Sequence, residues 1–243
     1  MRYNVKLDHK KILNSRKNLQ WLYDQMPETT GCMENIAKGK DGCGSICCET
    51  QFPSVWYVEF LNSWNYIIHN WTDQQIISII EKSLRNYLYP KPERSCVFWN
   101  KETKMCNQHE HRCYACRIYG IEPEEEFNER FVRLKVIYPH IRQQCNLVKT
   151  SDNSVVSKEN TKYWWSHLKN FESVIGVPYN LMNDNDGGSY RSYHDHILMH
   201  LFDDATMELL SNTRLDGDPI QKETCIRRML SGLSDYIDRE TKK

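Results

Sequence analysis

Apolar residues recur at helical spacing along most of this chain, and one stretch shows the pattern most clearly. Thr72 followed by Gln75 resembles a capping box at the start of a helix. Isoleucines and leucines then recur every three or four residues up to Tyr89, and Pro90 follows. The pattern predicts a helix from Thr72 to Tyr89.

Other segments repeat this character. Helices are predicted over residues 10–25, 55–71, 123–138, 157–176, 193–210 and 218–238. Asp218 before Pro219 is typical of an N-cap and a first helical residue. The aromatic content of residues 55–71 also permits a strand. We therefore predict a mainly α protein, with residues 72–89 and 218–238 as its surest helices.

Two cysteine-rich stretches break the helical pattern. Residues 29–50 contain four glycines and four cysteines, and residues 96–120 contain four more cysteines. Glycine is too flexible for a stable helix and suits a loop that wraps a ligand. We expect two irregular loops that converge on a metal centre. Residues 151–157 are a polar connector, so we expect a cysteine-cluster region over 1–150 and a helical C-terminal region over 151–243, packed as one globular unit.

Composition narrows the function. Lysine plus arginine equals aspartate plus glutamate, at 32 each, so no net charge draws the chain to nucleic acid or to an anionic membrane. The chain has no apolar run long enough to predict a membrane span or a signal peptide. This favours the cytosol. Ten cysteines in a reducing compartment are more typical of metal ligation than of disulfides.

Eight of the ten cysteines lie within residues 32–116, and we predict them as metal ligands: Cys32, Cys43, Cys47, Cys48, Cys96, Cys106, Cys113 and Cys116. Thiolates repel one another, so a bound cation explains their clustering. The spacing within Cys43–Cys47 and Cys113–Cys116 suits a tetrahedral zinc ion. Adjacent cysteines at 47 and 48 cannot both easily reach one such ion, and an iron–sulfur cluster accommodates more distant ligands. We favour an iron–sulfur cluster, with zinc as the alternative.

Histidines offer further ligands. His109 and His111 lie between two of the cysteines, although loop histidines are more often exposed. A second site is suggested by His194, His196 and His200, because positions 196 and 200 share one helical face. The commoner alternative is a polar helix face. Aromatic residues between Lys162 and Lys169 suit either stacking on nucleic acid or core packing, and the balanced charge favours the core.

The cysteine pattern resembles the YkgJ-type cysteine-cluster family, described as a zinc- or iron-chelating domain. The resemblance covers residues 32–120 and rests on Cys-Gly-x-x-Cys-Cys at 43–48, Cys96-Val97-Phe98, and Cys106 ten residues before Cys116-Arg117-x-Tyr119-Gly120. Arg112 also matches, whereas Cys113 stands where the family usually has proline. Flagellin lysine N-methylases carry a similar cluster, which implies methyl transfer as one activity.

Two functions follow from these observations. The first is a cytosolic protein that binds an iron–sulfur cluster or another metal and has a redox, accessory or methyl-transfer role. The second is a non-catalytic, zinc-stabilised module for protein interaction. Whether the chain is an enzyme stays open. We expect a protein partner, no membrane association and no nucleic acid.

Overall fold

The computed structural model describes residues 9–30, 48, 52–90, 95–103, 105–137, 148–175, 190–233 and 237. Its α-helices there are α1 (His9–Asp24), α2 (Tyr57–Asn70), α3 (Asp73–Leu88), α4 (Tyr114–Ile118), α5 (Glu124–Ile137), α6 (Lys158–Ile175), α7 (Tyr193–Leu201), α8 (Asp204–Asp216) and α9 (Pro219–Ser231). Its strands are β1 (Thr29–Thr30), β2 (Ser54–Val55), β3 (Trp99–Asn100), β4 (Met105–Cys106), β5 (Lys149–Thr150) and β6 (Arg191–Ser192). The predicted mainly helical class is confirmed.

The two surest helices form for the predicted local reasons. At the start of α3, the Gln75 amide N–H donates to Thr72 Oγ1 at 3.3 Å and the Thr72 N–H donates to Gln75 Oε1 at 2.9 Å. At the start of α9, Asp218 Oδ1 accepts from the Gln221 N–H at 2.8 Å. Helix α9 ends at Ser231, before Gly232, and so is shorter than the predicted 218–238.

The predicted helix over 193–210 is wrong, because the chain forms two helices there. Phe202 and Asp203 have extended backbone between α7 and α8. The Asp203 side chain accepts from the Thr206 N–H at 2.9 Å and starts the second helix. The apolar spacing continues through this break because both helices bury one side, so periodicity alone did not show it.

Two other predictions need correction. Residues 55–71 begin in strand β2, and the helix starts at Tyr57 after an extended Trp56. Residues 96–120 are more regular than predicted. They contain strands β3 and β4, a 3₁₀ turn over His109–His111 and helix α4.

The helices enclose two apolar clusters, with α2 contributing to both. Helix α3 packs against α7, α8 and α9 around the larger cluster, and α1 packs against α2 and α6 around the smaller one. Among the most deeply buried side chains are Leu19, Leu22, Tyr57, Phe60, Ile67, Ile76, Ile80, Leu84, Leu88, Leu168 and Ile197. Residues 96–99 and Cys113 belong to the larger cluster, so the second cysteine-rich stretch is attached to the helical core.

Short antiparallel strand pairs join distant parts of the chain. Strand β1 pairs with β5, β2 pairs with β6, and β3 pairs with β4. The β2–β6 pair, and the packing of α1 on α6 and α3 on α7, connect residues before 150 with residues after it. None of the helices in the described ranges is both long and apolar enough to span a membrane.

Candidate functional site

Three of the predicted ligand cysteines are brought together by backbone hydrogen bonds. The Cys96 N–H donates to the Cys48 carbonyl at 2.7 Å, which joins the end of the first cysteine-rich stretch to the start of the second. In the hairpin β3–β4, Cys106 is the register partner of Trp99. The hairpin therefore returns Cys106 to the neighbourhood of Cys96.

The turn of this hairpin is specified by Asn100. Its Oδ1 accepts from the backbone N–H groups of Glu102 at 2.9 Å and Thr103 at 3.2 Å. Asparagine commonly folds back on the following backbone in this way and starts a turn. A polar side chain thus fixes where the chain reverses, and the reversal positions Cys106.

Cys48 and Cys106 form the first thiol pair. A hydrogen bond with the Cys48 side chain lowers the pKa of the Cys106 thiol, and the Gln108 backbone N–H and the Arg112 charge act in the same direction. Burial opposes these effects. Cys106 is therefore surrounded by groups that stabilise a thiolate.

Cys113 and Cys116 form the second thiol pair, with Sγ atoms 3.6 Å apart. Cys113 is the N-cap of α4, and its carbonyl accepts from the Cys116 N–H at 3.1 Å. Two residues three positions apart in a helical turn lie on one face, which explains the short distance. Burial, followed by the hydrogen bond and charge of Cys116, raises the pKa of the Cys113 thiol.

Glu59 holds α4 in place. Its carboxylate accepts from the Tyr114 N–H at 2.6 Å, from the Tyr23 hydroxyl at 2.5 Å and from the Trp56 N–H at 3.0 Å. These bonds tie α1, the start of α2 and the start of α4 to one buried group. The second thiol pair is thereby fixed relative to the helical core.

Tyr193 lies between the segment that follows Cys96 and the second thiol pair. Phe98 contacts the Tyr193 ring edge-on, with centroids 4.8 Å apart. Burial raises the pKa of the Tyr193 hydroxyl, and the charges of Cys113 and Cys116 add to that rise. Tyr193 therefore adjoins both the segment after Cys96 and the second pair.

The segment between the two pairs contains buried polar atoms that lack hydrogen-bond partners. Within the described residues these include the Gln108 amide nitrogen and oxygen, His109 Nε2 and Arg112 Nε. Gln108 is only 3% exposed. Burial, with the charges of Arg112 and Arg117, lowers the pKa of His109 to about 4, so His109 is neutral at pH 7. Such atoms in a native fold usually have a water, ion or ligand as partner.

Not every predicted ligand can be placed. Cys32, Cys43 and Cys47 lie outside the described residues. Across the described residues, no group of three or more His, Cys, Asp or Glu side chains is arranged to hold a metal ion. The structure thus gives two pairs and the nearby Cys96. It does not support the expected convergence of both loops on a closed metal centre.

The three histidines of the second predicted site lie on α7 and are buried. His196 and His200 share a face as expected, because both rings contact Tyr57 and Phe60 on α2. His194 instead lies beside Asn86 of α3, with a closest nitrogen separation of 3.0 Å. The aromatic surroundings of His196 and His200 are typical of a core, and their role as ligands stays a prediction.

Sequence reasoning missed two acidic residues that organise this region. Glu59 is described above, and Glu172 of α6 accepts from the N–H groups of Tyr57 at 3.1 Å and Val58 at 2.8 Å. Both side chains are buried and bind the first turn of α2, where N–H groups lack helical partners. An isolated glutamate within the apolar run after Pro53 was the available signal for the first.

No family model matches this sequence, and comparisons with curated proteins and with solved structures found no similar chain. The resemblance to the cysteine-cluster family therefore stays a prediction. The thiol pairs and the polar atoms between them are the features of the described residues that point to a function.

Proposed function

We propose that this chain binds an iron–sulfur cluster through its cysteine pairs and acts as a redox or accessory protein in the cytosol with a protein partner. Cys48, Cys106, Cys113 and Cys116 are the described ligands of this proposal. Cys32, Cys43 and Cys47, which lie outside the described residues, and the adjacent Cys96 are available to complete or replace them. When bound, an iron–sulfur cluster supplies electron transfer, and its potential depends on hydrogen bonds to sulfur.

The observation that carries the proposal is the pairing of thiols within separate local structures. Cys106 meets Cys48 through a hairpin, and Cys113 meets Cys116 through a helical turn. Two thiolates about 2.3 Å from one tetrahedral ion are separated by about 3.8 Å. The 3.6 Å separation of Cys113 and Cys116 is close to that requirement, so little movement is needed for both to bind one iron of a [2Fe–2S] cluster, in which each iron takes two thiolates.

The residues between the pairs also fit an anionic cluster. Thiolate-bound clusters carry negative charge, and N–H groups and cations near their sulfur atoms stabilise them. Arg112 Nε and the Gln108 amide nitrogen are buried donors without partners in the described structure. The Gln108 backbone N–H already donates to Cys106. These donors are suited to bond to sulfur atoms of the cluster.

Lys82 adds a cation beside Cys96. Its Nζ donates to the carbonyls of Val97 at 3.4 Å and Trp99 at 3.1 Å. Burial lowers the pKa of Lys82, and the charge of Cys96 opposes this effect. The cysteine segments thus have positive groups at both ends, from Lys82 and from Arg112.

A structural zinc site is the second candidate, and one distance favours it. Two thiols 3.6 Å apart in a helical turn are arranged as ligands of a single four-coordinate ion. Cys48 and Cys106 would complete four sulfur ligands once the two pairs move together, because no three such side chains are arranged around one point in the described residues. In that case the protein is an interaction module without catalysis, and the metal replaces part of the missing apolar core.

Purification of the wild-type protein without oxygen tests the proposal. We expect a brown protein with absorption in the visible range, and stoichiometric iron and acid-labile sulfide by chemical analysis. A colourless protein with one bound zinc ion would overturn the iron–sulfur proposal in favour of the zinc module. A protein that binds neither iron nor zinc after reconstitution under reducing conditions would overturn both.

A further inference from the structure

Helices α1 and α6 leave a row of aromatic rings at the surface. The α1–α6 aromatic row consists of Trp21, Tyr163, His167 and Phe171. Trp21 is 46% exposed and Tyr163 is 47% exposed. Ring centroids are 5.6 Å apart for Trp21 and His167, 4.5 Å for Tyr163 and His167, and 5.8 Å for His167 and Phe171. Trp21 and Tyr163 are the exposed rings of this row, and the half-buried His167 lies in edge contact with both. Phe171 is also half-buried and packs against the smaller apolar cluster.

The expected core packing of the aromatics between Lys162 and Lys169 holds for Trp164 but not for Tyr163. Trp164 is 4% exposed, whereas Tyr163 is 47% exposed. The Trp165 ring is partly exposed and packs against Trp56 and Tyr190. Positions 163, 167 and 171 follow the four-residue spacing of one helix face, and His167 on that face contacts Trp21 of α1. Large aromatic surfaces that stay exposed are typical of binding sites.

The same two helices concentrate positive charge that the whole chain lacks. The formal net charge of the chain is zero. Helix α1 carries the basic residues Lys10, Lys11, Arg16 and Lys17 and one acidic residue, Asp24. Helix α6 carries Lys158, Lys162 and Lys169 and the acidic Glu159 and Glu172. Glu172 is buried against the start of α2, and Lys158 is paired with Glu125, so the exposed lysines beside the rings are Lys162 and Lys169. The local charge around the aromatic row is therefore positive.

The exposed lysines are spaced to flank the rings. Lys17 lies one helical turn before Trp21, on the same face of α1, and is exposed. Lys162 and Lys169 are exposed and bracket Tyr163 and His167 along α6. A ligand that lies along the row thus meets flat rings in the middle and ammonium groups beside them.

We propose that the α1–α6 aromatic row binds single-stranded nucleic acid, with bases stacked on Trp21 and Tyr163 and phosphates near Lys17, Lys162 and Lys169. Single strands present both a negative backbone and bases that are free to stack. A duplex hides its bases, and an acidic polypeptide uses the lysines but does not need exposed flat rings. This proposal reverses the expectation that nucleic acid is not a partner, and it is independent of the metal centre.

Fluorescence anisotropy of a labelled oligothymidine tests the proposal with the full chain. We expect single-stranded DNA to bind about tenfold more tightly than a duplex of the same length, because stacking contributes about 1–3 kcal/mol per base. Trp21→Ala should weaken binding to the single strand about tenfold or more. Lys17→Glu should weaken it as well and should reduce the steepness of its salt dependence.

Matched variants on helices α8 and α9 control for the effects that any surface substitution has on binding. Leu215→Ala removes a side chain that is 75% exposed on α8, and Arg228→Glu reverses an exposed charge on α9. Both should bind like the wild type. Circular dichroism of Trp21→Ala should match that of the wild type, because the ring is at the surface.

Four results would overturn the proposal. These are no binding of the oligothymidine at about 0.1 mM protein in low salt, equal affinity for single strand and duplex, unchanged binding by Trp21→Ala, and displacement of the strand by poly-glutamate as readily as by unlabelled oligothymidine. The last result would indicate an acidic protein as the partner of this surface.

Discussion

Two buried polar regions of this protein differ in how their hydrogen-bonding groups are used. At the start of α2, the carboxylates of Glu59 and Glu172 accept bonds from backbone N–H groups and from Tyr23. Between the thiol pairs, Gln108, His109 and Arg112 bury polar atoms that have no partner in the described structure. In the first region both carboxylates have their donors, and the Trp56 indole Nε1 is a buried atom there that lacks a partner in the described structure. In the second region such atoms lie on three neighbouring residues, which is typical of a site that needs a ligand.

This difference has an energetic meaning. A buried hydrogen bond contributes about 1 kcal/mol, whereas a buried polar atom without a partner costs about 1–3 kcal/mol. The carboxylates at α2 stabilise the fold because their partners are already present. The polar atoms near Cys106 lower stability until a ligand, an ion or water satisfies them. The predictions below test each side of this comparison.

The largest effect on stability is expected at the start of α2, where Glu59 accepts three hydrogen bonds. Glu59→Ala leaves three donors without their acceptor, so we expect a loss of about 3–5 kcal/mol in the free energy of unfolding. Chemical denaturation measures it. The control is Glu208→Ala, at an exposed position of α8, which should change stability by less than about 0.5 kcal/mol. Equal losses in the two variants would show that Glu59 is not the centre of this network.

Metal removal should have the next largest effect on stability, and this effect should lie in the region of the thiol pairs. A chelator should lower stability by about 3 kcal/mol for a metal supplied at a hundredfold excess over its Kd. Hydrogen exchange should become faster in the β3–β4 hairpin and α4, with smaller increases in α2 and α3. Helices α8 and α9 serve as the internal control. Unchanged exchange in the hairpin and α4 would contradict a metal held by the thiol pairs.

An effect of about 2 kcal/mol is expected from pH at the buried histidines. Burial, with the charge of His196, lowers the pKa of His200 to about 3, against an ordinary value of 6.5. Stability from this residue is therefore complete above pH 6.5 and is lost as pH falls toward 3, where the unfolded chain binds the proton first.

Denaturation of His200→Gln measures this contribution. The variant should lose less stability than the wild type between pH 6.5 and 4.5, with a difference of about 2 kcal/mol. Parallel pH profiles for the two proteins would show that His200 does not titrate on unfolding in this range.

The smallest change in stability is expected from Gln108, whose buried amide lies between the thiol pairs. Gln108→Leu replaces a buried amide without partners by an apolar group of similar size, so we expect the metal-free protein to gain about 1 kcal/mol. With metal bound, the gain should disappear, because the amide then has a partner. Thermal denaturation with and without metal measures both values. A gain of the same size in both states would show that Gln108 does not serve the bound centre.

The sequence predicted the structure correctly where the stabilising contacts join residues that are close together in the chain. The capping residues Thr72 and Asp218 specify the starts of α3 and α9 through side chains only three residues from their partners. The break at Asp203 was missed because an N-cap inside a continuing apolar pattern does not change the period. Capping residues and apolar spacing therefore predicted where most helices lie, but not where one helix ends and the next begins.

The site was less predictable because its contacts are distant in sequence. Cys113 and Cys116 were recognisable from their spacing, and their short Sγ separation follows from one helical turn. The meeting of Cys48 with Cys106 depends on a hairpin that Asn100 turns, and on a backbone bond to Cys96. The role of Glu59 depends on Tyr23 and Tyr114, which only the fold brings together.

We propose that the two thiol pairs hold one metal centre, and the metal content of three cysteine variants tests this proposal. The variants Cys106→Ser, Cys116→Ser and Cys225→Ser would be purified without oxygen and analysed for iron, zinc and sulfide. Cys225 is a buried cysteine on α9 and serves as the matched control. We predict that Cys106→Ser and Cys116→Ser each lose most of the metal, while Cys225→Ser keeps it. Full metal content in Cys106→Ser or Cys116→Ser, or an equal loss in all three variants, would contradict a centre shared by the two pairs.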